Sequence, residues 1–198
     1  MRHRVFIAIN LPEDIKKQLS FYRSKWLELP CRWTKKENLH ITLFFLGYLT
    51  DEELLEVCKI AKEAVSRHSS FSIDLNKICY GPPKKIPPRM VWAEGTCIEV
   101  AEGRKIDKLS FLEKDLENSL LTSSVMGVEK ENRPYVPHIT LGRIKNWDFR
   151  TMEPEERPEI EEEISLSFEV NSIEIMESKL KPQGPDYFIL ESMELGEK

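Results

Sequence analysis

NLHITLFFLG (residues 38–47) and PHITLGR (residues 137–143) contain the same tetrapeptide, His-Ile-Thr-Leu. The chain has four histidines, and two of them, His40 and His138, begin these two copies. With average residue usage, a second copy of a given tetrapeptide is expected on the order of once in a thousand chains of this length. The repeat is therefore the feature from which fold and function can be inferred.

The segments around the first copy alternate between strand and helix patterns. A proline and two acidic residues open the first helix, and Thr50 and Glu53 form a capping box at the start of the second. The predicted elements are a strand over 3–11, a helix over 12–29, a motif strand that ends at Gly47, a helix over 50–68 and a strand over 71–80.

The proline-rich segment GPPKKIPPR (residues 81–89) divides the chain, and a similar order of elements follows it. An acidic, proline-broken segment over 152–163 is predicted to be a loop with a short turn. The predicted elements of this half are a strand over 90–95, a helix over 100–121, a motif strand from His138, a strand over 165–180 and a strand over 187–195.

The similar order around the two motifs predicts an α+β fold with antiparallel sheets and helices outside. We expect one domain over 1–198, built from two pseudo-symmetric lobes that correspond to approximate halves 1–80 and 90–198 joined by the proline-rich loop. The two motifs then face each other across a central cleft.

The composition narrows the classes of function. Hydrophobic residues make up 40% of the chain and charged residues 32%, which indicates a globular protein, and no apolar run is long enough to cross a bilayer. We expect a cytoplasmic monomer without membrane contact. The four cysteines form no Cys-x-x-Cys pair, and the net charge of −5 favours contact with an RNA end over a long basic RNA track.

The motif has a chemical use when two copies meet. Residues two apart in a strand point to one face, so His40 and Thr42 share a face, as do His138 and Thr140. One neutral imidazole can accept a proton while a charged one donates a proton, and the threonine hydroxyls can bind an anion between them. A phosphodiester suits this set, and the motif requires neither a metal nor another cofactor.

Paired His-x-Thr motifs in a chain of this length resemble the 2H phosphoesterase superfamily. More closely, the chain resembles the RNA 2′,3′-cyclic phosphodiesterases, historically called 2′-5′ RNA ligases. The stretches that carry the resemblance are RVFIAINLP, WTKKENLHITLFFLG, VPHITLGR and ESKLKPQGPDYFIL. The resemblance implies a bilobal α+β fold with both motifs in a central cleft, and hydrolysis of RNA 2′,3′-cyclic phosphate ends to 2′-phosphomonoesters.

The resemblance also implies roles for the motif residues. His40 matches the proton donor of the family and His138 the proton acceptor, while Thr42 and Thr140 match the phosphate-binding threonines. The residue types are the same in both copies and leave the two histidine roles open.

Arg143 matches an arginine that the family often carries after the second motif, where it can bind the substrate phosphate. Simple alternation places Arg143 on the face opposite His138, so a bulge at Gly142 would be needed to turn it toward the cleft. The first motif has Phe45 at the matching position.

Three other functions stay open. The same site can form 2′-5′ linkages between RNA ends, bind RNA ends or nucleotides without turnover, or use the two histidines as zinc ligands, although no third ligand stands at a familiar spacing. Several further side chains can stack on a base or extend the RNA path, but core packing or solvation is the expected role of each: Trp33, Tyr135, Tyr187, Lys84, Lys85 and Arg89.

Overall fold

The computed structural model describes residues 2–101, 104–123, 135–182 and 184–196, and within them the chain forms eleven β-strands and four α-helices. The strands are β1 Arg2–Asn10, β2 Cys31–Trp33, β3 His40–Thr50, β4 Phe71–Gly81, β5 Met90–Thr96, β6 Ile98–Ala101, β7 Arg104–Asp107, β8 His138–Ile144, β9 Glu161–Val170, β10 Ser172–Lys179 and β11 Asp186–Glu194. The helices are α1 Glu13–Tyr22, α2 Asp51–Val65, α3 Lys108–Leu121 and α4 Asn146–Thr151. In the described part of the chain, no helix has the length and apolar character needed to span a membrane.

Nine of the strands form one antiparallel sheet in the order β11-β10-β1-β3-β8-β5-β4-β9, with β2 beside β8. The two motif strands, β3 and β8, meet at its centre through the pair Ile41 and Ile139. On either side the order is mirrored, since β3, β1 and β10 on one side correspond to β8, β5 and β4 on the other. The predicted α+β class, with antiparallel pairing and two similar lobes, is confirmed.

The lobes are not consecutive halves of the chain. The first lobe contains β1, β3, β10 and β11, and the second contains β4, β5, β8 and β9. Strand β4 therefore belongs with the second motif although it precedes the proline-rich loop, and the last two strands return to the first motif. Hydrophobic periodicity predicts where strands are but not which strands pair, and the β4–β5 connection is short enough to favour neighbours in the sheet.

Four predicted elements differ from the structure, and two of them are helices. The third helix begins at Lys108 instead of residue 100, because β6 and β7 form a hairpin before it, and Asp107 accepts a hydrogen bond from the Ser110 amide at 3.1 Å. Glu102 and Gly103, which the predicted helix included, lie outside the described residues. The first helix ends at Tyr22 and continues as a 3₁₀ turn.

The other two differences concern strands. The first motif strand continues past Gly47 to Thr50, and Gly47 adopts φ +78° where the pairing with β1 shifts register. The predicted strand over 165–180 is two strands, β9 and β10, which meet at Asn171, and β9 begins at Glu161 inside the predicted acidic loop. Alternation alone does not reveal a turn of a single residue between two strands.

The helices pack on one face of the sheet. The capping box of α2 is confirmed: Thr50 accepts from the Glu53 amide, and the Glu53 carboxylate accepts from the Thr50 amide. The buried residues of α2 and α3 are Val57, Ala61, Ala64, Val65, Leu109, Leu112, Leu116 and Leu120, and they join the core that contains Ile41 and Ile139. This packing leaves the opposite face of the central strands open for the site.

Candidate active site

A bulge in each motif strand sets the direction of the side chains. The leucine of the motif is left without a register partner in both copies, Leu43 in the β1–β3 pairing and Leu141 in the β5–β8 pairing. An unpaired residue reverses the alternation beyond it, so side chains on the two sides of the bulge can share a face. The bulge that turns Arg143 toward the cleft is therefore at Leu141, one residue before the predicted position.

The two motifs line a single cavity of about 1100 Å³ on the open face of the sheet. Its lining includes His40, Thr42, His138 and Thr140, together with Arg143. Because β3 and β8 run antiparallel around their shared isoleucine pair, each histidine stands near the threonine of the other motif. The structure thus brings all five predicted site residues to one cavity.

In the first half-site, the His40 ring is held on both nitrogens. Nδ1 donates to the Asn38 carbonyl at 2.7 Å, and Nε2 lies 3.0 Å from Thr42 Oγ1. Phe6 and Tyr187 pack against the ring with centroid distances of 5.0 and 5.2 Å. Since a carbonyl only accepts, Nδ1 carries the proton of the neutral ring, and Nε2 is the atom that gains or loses a proton.

In the second half-site, one ring nitrogen has no partner among the described residues. His138 Nδ1 donates to the Val136 carbonyl at 2.8 Å, which again leaves Nε2 as the titrating atom. The Trp92 ring stacks on the imidazole with a centroid distance of 3.7 Å and an interplanar angle of 21°. Nε2 of His138 is therefore available to a water molecule or a substrate.

Burial dominates the proton affinity of both rings. It is the main reason that the pKa of His40 falls to about 4. The hydrogen bond to Asn38 raises this pKa, and the charges of His138 and Arg143 lower it further. Burial also lowers the pKa of His138 from its ordinary value of 6.5, while the hydrogen bond to Val136 and the charge of Glu94 raise it. Without an anion in the cavity, both rings are neutral at neutral pH.

Arg143 lies close to Thr140 of the second motif. Its closest polar contact among the described residues is weak, 3.9 Å from Nη1 to the sulfur of Met90, and Thr140 Oγ1 lies 4.0 Å from the same sulfur. Trp92 Nε1 also points at this sulfur from 3.3 Å. Thioether sulfur is a poor acceptor, so these donors can turn to a phosphate oxygen at little cost.

The aromatic residues considered from sequence also reach the cavity. Tyr187 packs on His40, the Tyr135 hydroxyl donates to the Thr42 carbonyl at 3.3 Å, and Trp33 stacks on Trp26 at the core. Their packing supports the structural role that the sequence favoured, although each has an edge on the cavity.

The proline-rich loop contributes to the cavity through its prolines. Pro82 and Pro83 line it, whereas Lys84, Lys85 and Arg89, which are all described, are not among the lining residues. The charged residues of this loop therefore stand outside the cavity.

Sequence reasoning missed the side chains that β5 presents to the second motif. Trp92 pairs with Thr140 and Glu94 with His138, and Glu94 Oε1 is buried without a hydrogen-bond partner in the described residues. Alternation places these two residues on one face of β5, but only the strand pairing shows that this face meets His138. Among the described residues, no group of three or more His, Cys, Asp or Glu side chains is placed to hold a metal ion.

Comparison with known proteins gives one consistent family. A family model described as LigT like phosphoesterase matches residues 9–92 and 113–187. A protein of Thermotoga maritima named RNA 2′,3′-cyclic phosphodiesterase is 31% identical over 194 residues, which cover 94% of this chain and 92% of the relative. A protein of Aquifex aeolicus with the same name is 31% identical over 93% of this chain and 89% of its own length.

Solved structures show the same fold. The crystal structure of TT0787 of Thermus thermophilus matches with a TM-score of 0.79 and 27% identity, over 98% of this chain and 99% of that one. The crystal structure of E. coli LigT complexed with 3′-AMP matches with a TM-score of 0.73 and 25% identity over the same shares. The fold described above therefore occurs in a known group of structures.

Proposed function

The chain belongs to the LigT-like phosphoesterase family of the 2H superfamily, and from that premise we propose that it hydrolyses 2′,3′-cyclic phosphate ends of RNA to 2′-phosphomonoesters. The observation that carries this proposal is the pair of histidines in one cavity, each with Nδ1 fixed by a carbonyl so that Nε2 titrates. The names of the relatives support the substrate.

In this proposal His138 is the general base. Its Nε2 takes a proton from water as the water oxygen attacks phosphorus, and the bond between phosphorus and the 3′ oxygen breaks. His40 donates a proton from Nε2 to the departing 3′ oxygen, which leaves the phosphate on the 2′ oxygen. The assignment rests on the family resemblance, and it is supported by the unoccupied Nε2 of His138 and the contact of His40 Nε2 with Thr42.

His40 must acquire its proton when the substrate binds, because burial holds its pKa at about 4 in the free protein. A phosphodiester carries a negative charge, and a negative charge within a few ångströms favours the imidazolium form. The substrate thereby prepares its own proton donor. Once protonated, Nε2 donates to Thr42 Oγ1, and the Thr42 hydroxyl is free to donate to a phosphate oxygen.

Thr42, Thr140 and Arg143 bind the phosphate in the proposed reaction. The two hydroxyls come from the two adjacent motif strands, and the guanidinium adds a charge-assisted contact to the oxygens on which negative charge develops. The histidines supply both proton transfers, so no proposed step uses a metal or another cofactor.

We also propose that residues 1–198 act as a single domain. The first motif lies in a lobe with strands from both ends of the chain, β1 and β10–β11, and the second lies in a lobe with strands from both sides of the proline-rich loop, β4 and β5. Neither half of the sequence contains a complete lobe, so each motif depends on the whole sheet.

The test uses a short RNA that ends in a 2′,3′-cyclic phosphate, incubated with the purified protein in EDTA. The product is identified by chromatography against 2′- and 3′-phosphate standards. The proposal expects a 2′-phosphate that forms with the native protein and is lost in His138→Ala. An unchanged cyclic end would reject hydrolysis of this substrate, a 3′-phosphate would reject the direction of bond cleavage, and a joined product would favour 2′-5′ ligation.

A further inference from the structure

Two arginines stand directly opposite each other at the edge of the cavity. Arg32 of β2 is the register partner of Arg143 of β8, and both line the cavity and are exposed. Partners in an antiparallel pair have Cα atoms about 4.5–5.5 Å apart, and like charges at such positions destabilise a sheet. This placement therefore calls for an anion that offsets the repulsion.

The packing behind β8 requires both guanidinium groups to project toward the cavity. Cys31 and Trp33, the neighbours of Arg32 in β2, pack against the core on the other face. Gly142 makes room for them, since a Cβ there would lie 2.4 Å from Cys31 Sγ and 3.0 Å from Trp33 Cε3. Arg32 and Arg143 alternate with these core residues and so share the open face.

Neither arginine has an acidic partner among the described residues. The Arg32 side chain makes no hydrogen bond or ion pair there, and the Arg143 side chain makes only the weak contact with the sulfur of Met90. By contrast, Arg67 forms a two-point ion pair with Asp115. Two guanidinium groups on one cavity edge without acidic partners match the forked donors that bind phosphate oxygens.

The two arginines stand at different distances from the reacting groups. The charge of Arg143 is among the main causes that lower the pKa of both motif histidines, and that of Arg32 is not. Arg143 lies three residues beyond Thr140 along β8, at most about 10 Å at the usual rise of a strand, and Arg32 lies beside it. A phosphate on Arg32 is therefore displaced from the reacting phosphate by a distance on the order of one nucleotide.

We propose that Arg32, beside Arg143, forms a second phosphate subsite that binds the phosphodiester joining the terminal nucleotide to the one before it. The inference rests on the proposed function and extends it, because it makes the preferred substrate an RNA end with a phosphate on the 5′ side of the terminal nucleoside. A 2′,3′-cyclic mononucleotide with a free 5′-hydroxyl group leaves the subsite empty.

The experiment compares two substrates that differ only at this phosphate: adenosine 2′,3′-cyclic phosphate with a 5′-hydroxyl and the same compound with a 5′-phosphate. For the native protein, we expect kcat/KM to be about tenfold higher for the 5′-phosphorylated substrate, the effect of one charge-assisted contact. Arg32→Ala should remove this preference and leave kcat/KM for the 5′-hydroxyl substrate within about twofold. Arg32→Lys keeps the positive charge but loses the paired guanidinium donors, so it should retain part of the preference for the 5′-phosphorylated substrate.

Arg150→Ala is the matched control, since Arg150 is an exposed arginine of α4 that does not line the cavity, and its loss changes the net charge equally. It should keep the full preference. With a cyclic-ended RNA, the slope of log kcat/KM against log salt concentration should weaken by about 0.7 in Arg32→Ala and stay unchanged in the control. Arg32→Ala should not lower the thermal midpoint, because it removes a like-charge pair.

The subsite is rejected if Arg32→Ala keeps the native preference or if the native protein shows none. Turnover of neither substrate would instead count against the proposed hydrolysis. The subsite remains testable in that case through the binding of adenosine 2′-phosphate and adenosine 2′,5′-bisphosphate. Tighter binding of the bisphosphate that disappears in Arg32→Ala supports the subsite, and equal binding of the two compounds rejects it.

Discussion

The two copies of the tetrapeptide fold alike and are surrounded differently. In both, the histidine Nδ1 donates to the carbonyl two residues earlier, and the leucine forms a bulge. In the first copy, Nε2 meets a threonine and the ring lies between Phe6 and Tyr187. In the second, Nε2 has no partner among the described residues, and the ring stacks on Trp92 beside Glu94.

The residues after the tetrapeptide extend this difference. The first copy continues with Phe44 and Phe45, and the second with Gly142 and Arg143. The tetrapeptide thus fixes the backbone and the titrating nitrogen, while neighbouring strands and the two following residues set the proton affinity and the charge. Two groups of identical type acquire different surroundings in this way, and the proposed roles of acid and base require such a difference.

The largest effect should come from removing either ring. We expect His40→Ala and His138→Ala each to lower kcat by about 10²–10⁴-fold on a cyclic-ended RNA, because each removes one of two proton transfers. The double variant should be little worse than the worse single variant, since the pair acts as a unit. Single-turnover rates measure this, and fully additive losses would show that the two half-sites work independently.

The next effect separates the residues that follow the two motifs. Arg143→Ala should lower kcat/KM by roughly 10–100-fold, the usual value of a charged contact to a phosphate. Phe45→Ala, at the matching position of the first copy, should change it by less than about threefold, because an exposed phenyl ring offers the phosphate no hydrogen bond. Equal losses in the two variants would contradict the division of roles between the two copies.

A stability measurement tests the close packing behind the second copy. Gly142→Ala should lower the free energy of unfolding by about 1–3 kcal/mol, since its Cβ would lie 2.4 Å from Cys31 Sγ. In a Cys31→Ala background the same change should cost less, because the nearest atom is gone. Urea unfolding of the native protein, the two single variants and the double variant gives a double-mutant cycle. If Gly142→Ala lowers the free energy of unfolding equally in the Cys31→Ala background, Cys31 is not the obstacle.

The smallest effect concerns the proton affinity of the pair. Burial lowers the pKa of both histidines, so the pair that carries a single proton becomes rarer as pH rises. In a plot of kcat/KM against pH, the fall on the alkaline side should therefore lie below pH 6.5. The alkaline fall of kcat should lie at higher pH than that of kcat/KM, because the bound phosphodiester raises the pKa of both histidines.

Glu94→Gln should move the alkaline limb of kcat/KM to lower pH, since the Glu94 carboxylate raises the pKa of His138. NMR titration of the His138 ring gives the same shift directly, and Glu155→Gln, on the surface away from the cavity, is the control. A limb that stays in place would show that Glu94 does not act on the second half-site.

Much of the site is visible in the sequence because it depends on local geometry. The shared face of His40 and Thr42 follows from strand alternation, and the start of α2 follows from the Thr50–Glu53 box. These features need only neighbours in the chain.

What the sequence did not reveal depends on distant strands. Trp92 and Glu94 act on His138 only because β5 pairs with β8. Likewise, Arg32 stands opposite Arg143 only because β2 pairs with β8. The position of the bulge at Leu141 is likewise set by the partner strand. Periodicity carries no information about these long-range pairings.

The exchange of strands between the lobes also governs the order in which the protein can be completed as it leaves the ribosome. The second lobe has all its strands once β9 has been made, whereas β1, made first, lacks its neighbour β10 until residues 172–179 emerge. Until then an apolar strand keeps a free edge, which is the kind of surface that chaperones protect and that aggregates readily. The lobe of the first histidine is thus the last to close during synthesis, and any pause in translation before β10 prolongs its exposure.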